Sequence, residues 1–569
     1  MKYDDLLTRY VGEFGKYQKL QYLLVCLPTI FVSMQALAWT FTGAVTDHRC
    51  AYDFEPHNAS YGSLFEALGV NVTNKTEREF YRCNLPVLPN DTERSLDSLQ
   101  NLGKKKYESC SRHVWDNSDG STTLIKTWYV VCSRGWIRAF IQSMYYVGQA
   151  IGSLTFGFIG DRFGRKRAFL GAILAQCVSG LLMAFVPWWQ GFALLRVLVG
   201  FGHPGVFVIS VVIGMELVGP SKRFIGGIAT GVFFGIGQVA LGVLAYLIRD
   251  YRMLQLTISL PYFIFFIYWW LVPESARWLM SLGRFEEADH ILRRAARVNG
   301  RTLPEDWKEH LELDQPKRQT ERKYGFADLF RTPQIRRRAL VSFFCWPSVS
   351  MIYYGLGMNP SFLGGNRYMV FIMAGLAEIP GVLAAGLFIN RVGRKALAVF
   401  GFSAGALGLF LTLAVPPEQT VVLSGLVIVS KMVITLTYAT EYTYTPELFP
   451  TTIRNFGMGM CSMSARFGGV AASYIAMYLA DINKTAAVMI FGSFAAAAAL
   501  LTLLLPETNG CKMLETIEDA EEFAKGHPIL SFRTPRQDSP EKLLIQTPEN
   551  EVMLQDMAGG GEKTANNLA

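Results

Sequence analysis

Gly157-Phe-Ile-Gly-Asp161-Arg162-Phe-Gly164-Arg165-Lys166 recurs later in the chain as Gly386-Leu-Phe-Ile-Asn390-Arg391-Val-Gly393-Arg394-Lys395. Each copy sits at the end of a long apolar run and just before another, so each reads as a tight turn between two helices. The glycines permit the turn, Asp161 or Asn390 can cap or accept from a helix start, and the basic residues suit the anionic inner leaflet. One copy alone could be an ordinary basic turn. Two copies, each after the second of six apolar runs, indicate a chain built from two related halves.

Working outward, apolar runs long enough to cross a hydrocarbon core lie near 20–42, 137–159, 168–187, 192–213, 224–247, 254–273, 338–358, 367–389, 396–415, 420–443, 455–480 and 485–505. A spanning backbone must satisfy its polar groups within the segment, so these are helices, and the fold class is an all-α polytopic membrane protein of about twelve spans. Composition agrees: 51% of the 569 residues are hydrophobic and only 18% are charged, fewer than in soluble domains. The first run is too long for a signal peptide and no cleavage site follows it, so it reads as a retained helix. The net charge of +8 does not imply a nucleic-acid partner, because the Lys and Arg lie mostly in short segments between spans, where they set topology.

The expected organisation is a cytoplasmic N-terminus (1–19), a first six-helix half (20–273), a cytoplasmic linker (274–337), a second half (338–505) and a largely disordered cytoplasmic tail (506–569). The loop 44–136 holds Cys50, Cys83, Cys110 and Cys132, with glycosylation sequons at Asn58, Asn71, Asn74 and Asn90. This clustering implies an oxidising, extracellular face with disulfides, although four cysteines allow three pairings. A further sequon at Asn483 falls on the same side if there are twelve spans. In the linker, Arg284–Val298 is amphipathic and, with Arg336, Arg337 and Arg338, is expected to lie along the inner membrane surface.

The two glycine-rich turns resemble the signature loop of the major facilitator superfamily, whose halves pack around a midplane cavity. Leu254–Pro261, Val272-Pro-Glu-Ser-Ala-Arg-Trp-Leu279 and Thr445-Pro-Glu-Leu-Phe-Pro450 with Ile453-Arg454-Asn455 narrow the resemblance to the organic cation, carnitine and organic anion transporters. The loop departs from that family, because many relatives carry six cysteines there. The resemblance implies a plasma-membrane, multi-pass transporter that uses no cofactor. Its partners would be a small organic ion, membrane lipid, and a coupling ion, sodium or proton, that the sequence leaves open. In the turns, Asp161, Arg162, Arg165, Asn390, Arg391 and Arg394 would serve gating. A nucleotide-driven pump is excluded: Gly214–Ser221 has phosphate-loop spacing but places Pro220 where the lysine must stand. Nor is there the spacing of an enzyme's nucleophile, base and orienter, or of a metal site.

Charges inside spanning helices are costly and are candidates for function. Arg466, in Cys461-Ser-Met-Ser-Ala-Arg466-Phe-Gly-Gly469, stands where the family's cation transporters carry aspartate and its carnitine and anion transporters carry arginine, which implies a carboxylate substrate. Lys431 also resembles the anion and carnitine branches, whereas Glu378, before Ile379 and Pro380, resembles the cation and carnitine branches. Tyr353, Tyr354, Tyr438 and Tyr442 offer rings to an ammonium group, and Tyr438 and Tyr442 share one helix face with Lys431 a heptad back. His203 and Glu441 read better as structural. The expected substrate is a zwitterion or amino-bearing compound: carnitine-like, a β-amino acid or an amine conjugate. Alternatives are an organic cation transporter, an organic anion exchanger, or a non-transporting receptor that keeps the fold.

Overall fold

The computed structural model describes residues 3–526, apart from 57, 68–79, 88–105, 220–221, 223, 306, 308–325, 360–364, 512–513 and 515. The first half contains α1 (Lys16–Leu37, carried on by Trp39–Thr42), α2 (Trp136–Phe163), α3 (Arg165–Leu182), α4 (Trp189–Leu217), α5 (Phe224–Leu247) and α6 (Tyr251–Ser259). After α6 the chain goes on through a tighter turn at Pro261–Ile267 and ends in Tyr268–Leu271. The second half contains α7 (Pro333–Met358), α8 (Arg367–Val392), α9 (Arg394–Ala414), α10 (Thr420–Leu448), α11 (Thr451–Tyr474, reaching Ile482) and α12 (Lys484–Thr502). Among the described residues, nine of these are long and apolar enough to span a membrane on composition alone. The other three are α2, α3 and α11. Three basic residues open α3, while α2 and α11 carry Gly, Ser and Tyr where they pack against neighbouring helices.

The non-helical part is small and lies in the loop between α1 and α2. There β1 (His48–Ala51) pairs antiparallel with β4 (Arg112–Trp115), and β2 (Asn84–Pro86) with β3 (Tyr107–Ser109). Of the three possible cysteine pairings, the structure has Cys50–Cys110 and Cys83–Cys132. Asn58 is exposed on this loop; Asn71, Asn74 and Asn90 lie outside the described residues, as does the end of the tail.

Within each half the helices touch closely. A Cβ on Gly148 of α2 would meet the Val197 carbonyl oxygen of α4 at 2.0 Å, and one on Gly200 would meet that of Tyr145 at 2.0 Å, so only glycine lets these backbones meet. Between the halves, α2 packs on α11 and α5 on α8. Polar bridges cross this interface both in the interior, where Gln238 of α5 donates to the Phe371 carbonyl of α8 at 3.1 Å, and toward the face that carries the long loop. Arg138 Nη1 pairs with Asp481 at 3.0 Å, and the Thr40 hydroxyl donates to the Gly357 carbonyl at 3.5 Å. Phe41 stacks on Tyr368 at 5.4 Å beside them.

The linker corrects one expectation. Residues Phe285–Val298 form a helix, but its apolar residues Ala288, Leu292, Ala295 and Ala296 are buried together with Leu6, Leu7, Val11 and Trp307. The chain's own N-terminus covers the face that the sequence assigned to lipid. Arg338 likewise is fully buried, donating to the carbonyls of Leu448 at 2.9 Å and Ala520 at 3.2 Å rather than reaching headgroups.

Candidate functional site: the central cavity and the two turns

At the repeated turns, Gly164 and Gly393 have φ of +109° and +105°, where a side chain is strained. Neither Asp161 nor Asn390 caps the following helix. That role belongs to Glu274 and Glu507. The Glu274 carboxylate accepts from the Lys166 backbone N–H at 3.1 Å, and Glu507 accepts from those of Arg394 at 3.0 Å and Lys395 at 3.1 Å. A carboxylate at a helix start meets unsatisfied N–H groups and the positive end of the helix dipole. A Cβ on either glycine would lie 2.3 Å from Glu274 Oε2 or 2.4 Å from Glu507 Oε2, so glycine is required twice over.

The arginines of the turns also have matched partners. Arg165 pairs with Asp161 at 2.7 Å and Glu216 at 3.3 Å; Arg394 pairs with Glu447 at 3.1 Å and donates to Asn509. Arg162 lies against the rings of Phe158 and Phe163 at 5.7 and 5.8 Å, and Arg391 and Asn390 are exposed. Reading the sequence alone does not single out the four glutamates, yet a signal for them exists. Glu216-Leu217 and Glu447-Leu448 close α4 and α10, and Pro273-Glu274-Ser275 and Pro506-Glu507-Thr508 follow the sixth helix of each half, so the internal repeat extends to both pairs.

In the interior of the helix bundle, the structure brings Glu378 of α8 and Lys431 of α10 into an ion pair of 2.7 Å with both side chains buried. Lys431 also donates to Gln238 of α5 at 3.0 Å and lies 5.3 Å from the ring of Tyr353, so this cation links three helices and both halves. The four predicted tyrosines form one wall. Tyr353 packs on Tyr354 at 5.1 Å and Tyr438 at 5.5 Å, and Tyr438 on Tyr442 at 5.4 Å. Trp346 of α7, which no sequence pattern singles out, backs this wall with its ring 4.8 Å from Tyr442. Tyr442 is 39% exposed although it is packed between aromatic rings.

Arg466 of α11 lies among the phenols of Tyr438, Tyr442, Tyr354 and Tyr145 and is 6% exposed. Among the described residues it has neither a carboxylate partner nor a hydrogen-bond acceptor, and its Nε is buried without one. The first half contributes Tyr145 and His203, which share a hydrogen bond of 2.6 Å, with Phe207 5.8 Å from the His203 ring. One of its buried arginines, Arg196, differs from Arg466 in having partners for both terminal nitrogens, although its Nε, like that of Arg466, has none. Arg196 donates to the carbonyls of Gln35 at 2.9 Å and Ala36 at 3.4 Å, bonds Gln142, and stacks 4.9 Å from Tyr145.

Comparison with known proteins accords with this geometry. Residues 104–520 match the family model described as sugar (and other) transporter. An organic cation transporter protein of Drosophila melanogaster is 37% identical over 532 residues, covering 92% of this chain and 95% of its own. The human organic cation/carnitine transporter 2 is 32% identical over 524 residues, covering 90% and 93%. The solved proton:xylose symporter XylE, of the major facilitator superfamily, superposes with a TM-score of 0.55 at 18% identity, covering 89% of this chain and 99% of its own. The paired turns, the two six-helix halves and the buried interior charges are thus those of a multi-pass membrane transporter, not an enzyme, and the chain belongs to the organic cation and carnitine transporters of the major facilitator superfamily.

Proposed function

We propose that this protein moves small organic ions bearing both a carboxylate and a cationic group across the plasma membrane, by alternating access of its two halves, with the loop 44–136 outside. The observation that carries the reading is Arg466, a buried guanidinium without a carboxylate of its own beside a wall of four tyrosines. A buried cation left unpaired is costly, and a solute carboxylate offers its planar fork two parallel hydrogen bonds. The tyrosine rings suit the solute's cationic end, at about 0.5–2 kcal/mol per contact. Glu378, already neutralised by Lys431 at 2.7 Å, adds little net charge to the cavity, which leaves Arg466 to select. In this reading Arg138–Asp481 holds the outer side shut, and the two turns govern the opposite side.

Transport of simple organic cations is the second reading, favoured by the same tyrosines and by the names of the relatives. Uptake of radiolabelled carnitine into cells expressing the protein, in competition with unlabelled zwitterion, decarboxylated amine and simple acid, separates the two. The zwitterion is expected to compete at roughly tenfold lower concentration than the amine, which corresponds to about 1.4 kcal/mol. Equal potency of zwitterion and amine would favour the cation reading.

A further inference from the structure

Glu441 of α10 is a second interior charge without a partner, and neither the turns nor the Arg466 site uses it. It is 1% exposed, and among the described residues no basic group pairs with it. Its Oε2 accepts from the Thr445 hydroxyl at 3.4 Å, while its Oε1 is buried with no hydrogen-bond partner. The elements around it supply neutral groups: the thiol of Cys345 from α7, that of Cys461 from α11, and the phenol of Tyr444 from its own helix. On α12, Thr502 faces Cys345 at 3.5 Å. Arg338 donates to the carbonyls of Leu448 and Ala520 and forms no ion pair with Glu441. Keeping an uncompensated charge in such a place is costly.

The same residue is wired to the cavity. The Thr445 hydroxyl that donates to Glu441 also accepts from the indole N–H of Trp346 at 2.8 Å, and the Trp346 ring lies 4.8 Å from Tyr442 and 6.1 Å from Tyr438. Those tyrosines stand beside Arg466. Tyr442, next in the chain to Glu441, is 39% exposed, whereas Tyr353, Tyr354 and Tyr438 are buried.

We propose that Glu441 is a proton-binding site that couples solute movement to proton movement, its carboxyl taking a proton from water on one side of the membrane and returning it on the other. Gain or loss of the proton changes what Thr445 meets at Glu441, and through Trp346 it shifts the tyrosine wall. The inference rests on the transporter fold and not on the charge of the solute.

Two measurements on the full-length protein test it. In reconstituted vesicles at neutral pH, the infrared carboxylic C=O band of the wild type should lose one component in Glu441→Gln and keep it in Tyr442→Phe. A spectrum unchanged in Glu441→Gln would overturn the site. At a clamped membrane potential, carnitine and tetraethylammonium are used as probes, the second lacking a carboxylate, so that failure of the carboxylate reading leaves one probe in hand. With one proton per solute, an inward gradient of about one pH unit should raise steady accumulation about tenfold. Glu441→Gln should abolish that dependence while solute exchange without a gradient persists, and Glu441→Asp should restore part of it. Gradient dependence that is absent from the wild type, or equal in Glu441→Gln, would overturn the coupling.

Discussion

The two repeated turns are nearly the same device, whereas the two cavity walls are not. Each turn has a glycine with a positive φ (109° and 105°), a glutamate capping the next helix, and an arginine tied to a glutamate at the end of the fourth helix of its half. Among the polar positions of the ten-residue repeat they differ at one. Asp161 pairs with Arg165 at 2.7 Å while remaining largely exposed, whereas Asn390 cannot pair, and Arg394 is instead held by Asn509 and Glu447. The interiors diverge further: Arg196 of the first half donates to backbone carbonyls, whereas Arg466 of the second half has no acceptor among the described residues. The repeat is thus kept at the turns and broken in the interior.

The largest effect should come from filling the glycine positions. Gly164→Ala and Gly393→Ala each force a positive-φ side chain into a glutamate oxygen, so a loss of about 1–3 kcal/mol at either turn is expected. Surface expression and thermal unfolding in detergent check this, and a harmless Gly393→Ala beside a damaging Gly164→Ala would break the equivalence of the turns.

Exchanging the one differing polar residue is milder. Asp161→Asn should lower the maximal rate at normal surface expression without changing the half-saturating concentration, because Asp161 lies far from the tyrosine wall. Asn390→Asp should do less, since Asn509 already engages Arg394. A change confined to half-saturation in Asp161→Asn would contradict a gating role.

Smaller still is the bridge between the halves. Asp481 is half exposed, so Arg138→Gln should cost under about 1 kcal/mol and show as a modest rise in the rate at which the loop side opens to thiol reagents.

The loop supplies a pH effect. Burial holds His48 down to about 4, below its ordinary value near 6.5. Its neutral form therefore stabilises the fold above about 6.5, and that contribution is lost as pH falls from about 6.5 toward 4, at about 1.4 kcal/mol per unit. Proteolysis of the loop should accelerate over that window, and less so in His48→Gln.

Much of this was legible in the sequence. The repeat and the apolar runs predict two six-helix halves because spanning helices are specified locally, by length and composition. The partners of the charges were not legible. Nothing in the spacing of Glu378 and Lys431 says that α8 and α10 bring them within 2.7 Å, and amphipathicity in Phe285–Val298 could not say whether lipid or the N-terminus would cover it. The cysteine pairing needed the strands that bring Cys50 and Cys110 together. The capping glutamates are remote from the glycines they serve, by roughly one hundred residues. Arg466 itself was legible, but its freedom from partners is a fact of three dimensions.

That freedom is the central claim, and it is tested most directly by uptake of a zwitterion and of its decarboxylated amine, normalised to surface protein, in the wild type and in Arg466→Asp. Reversing the charge removes a charge-assisted hydrogen bond worth about 1.5–3 kcal/mol, so zwitterion uptake should fall at least roughly tenfold while the amine is kept or gains. Parallel loss of both, at normal surface expression, would make Arg466 a structural residue and contradict a carboxylate-bearing solute.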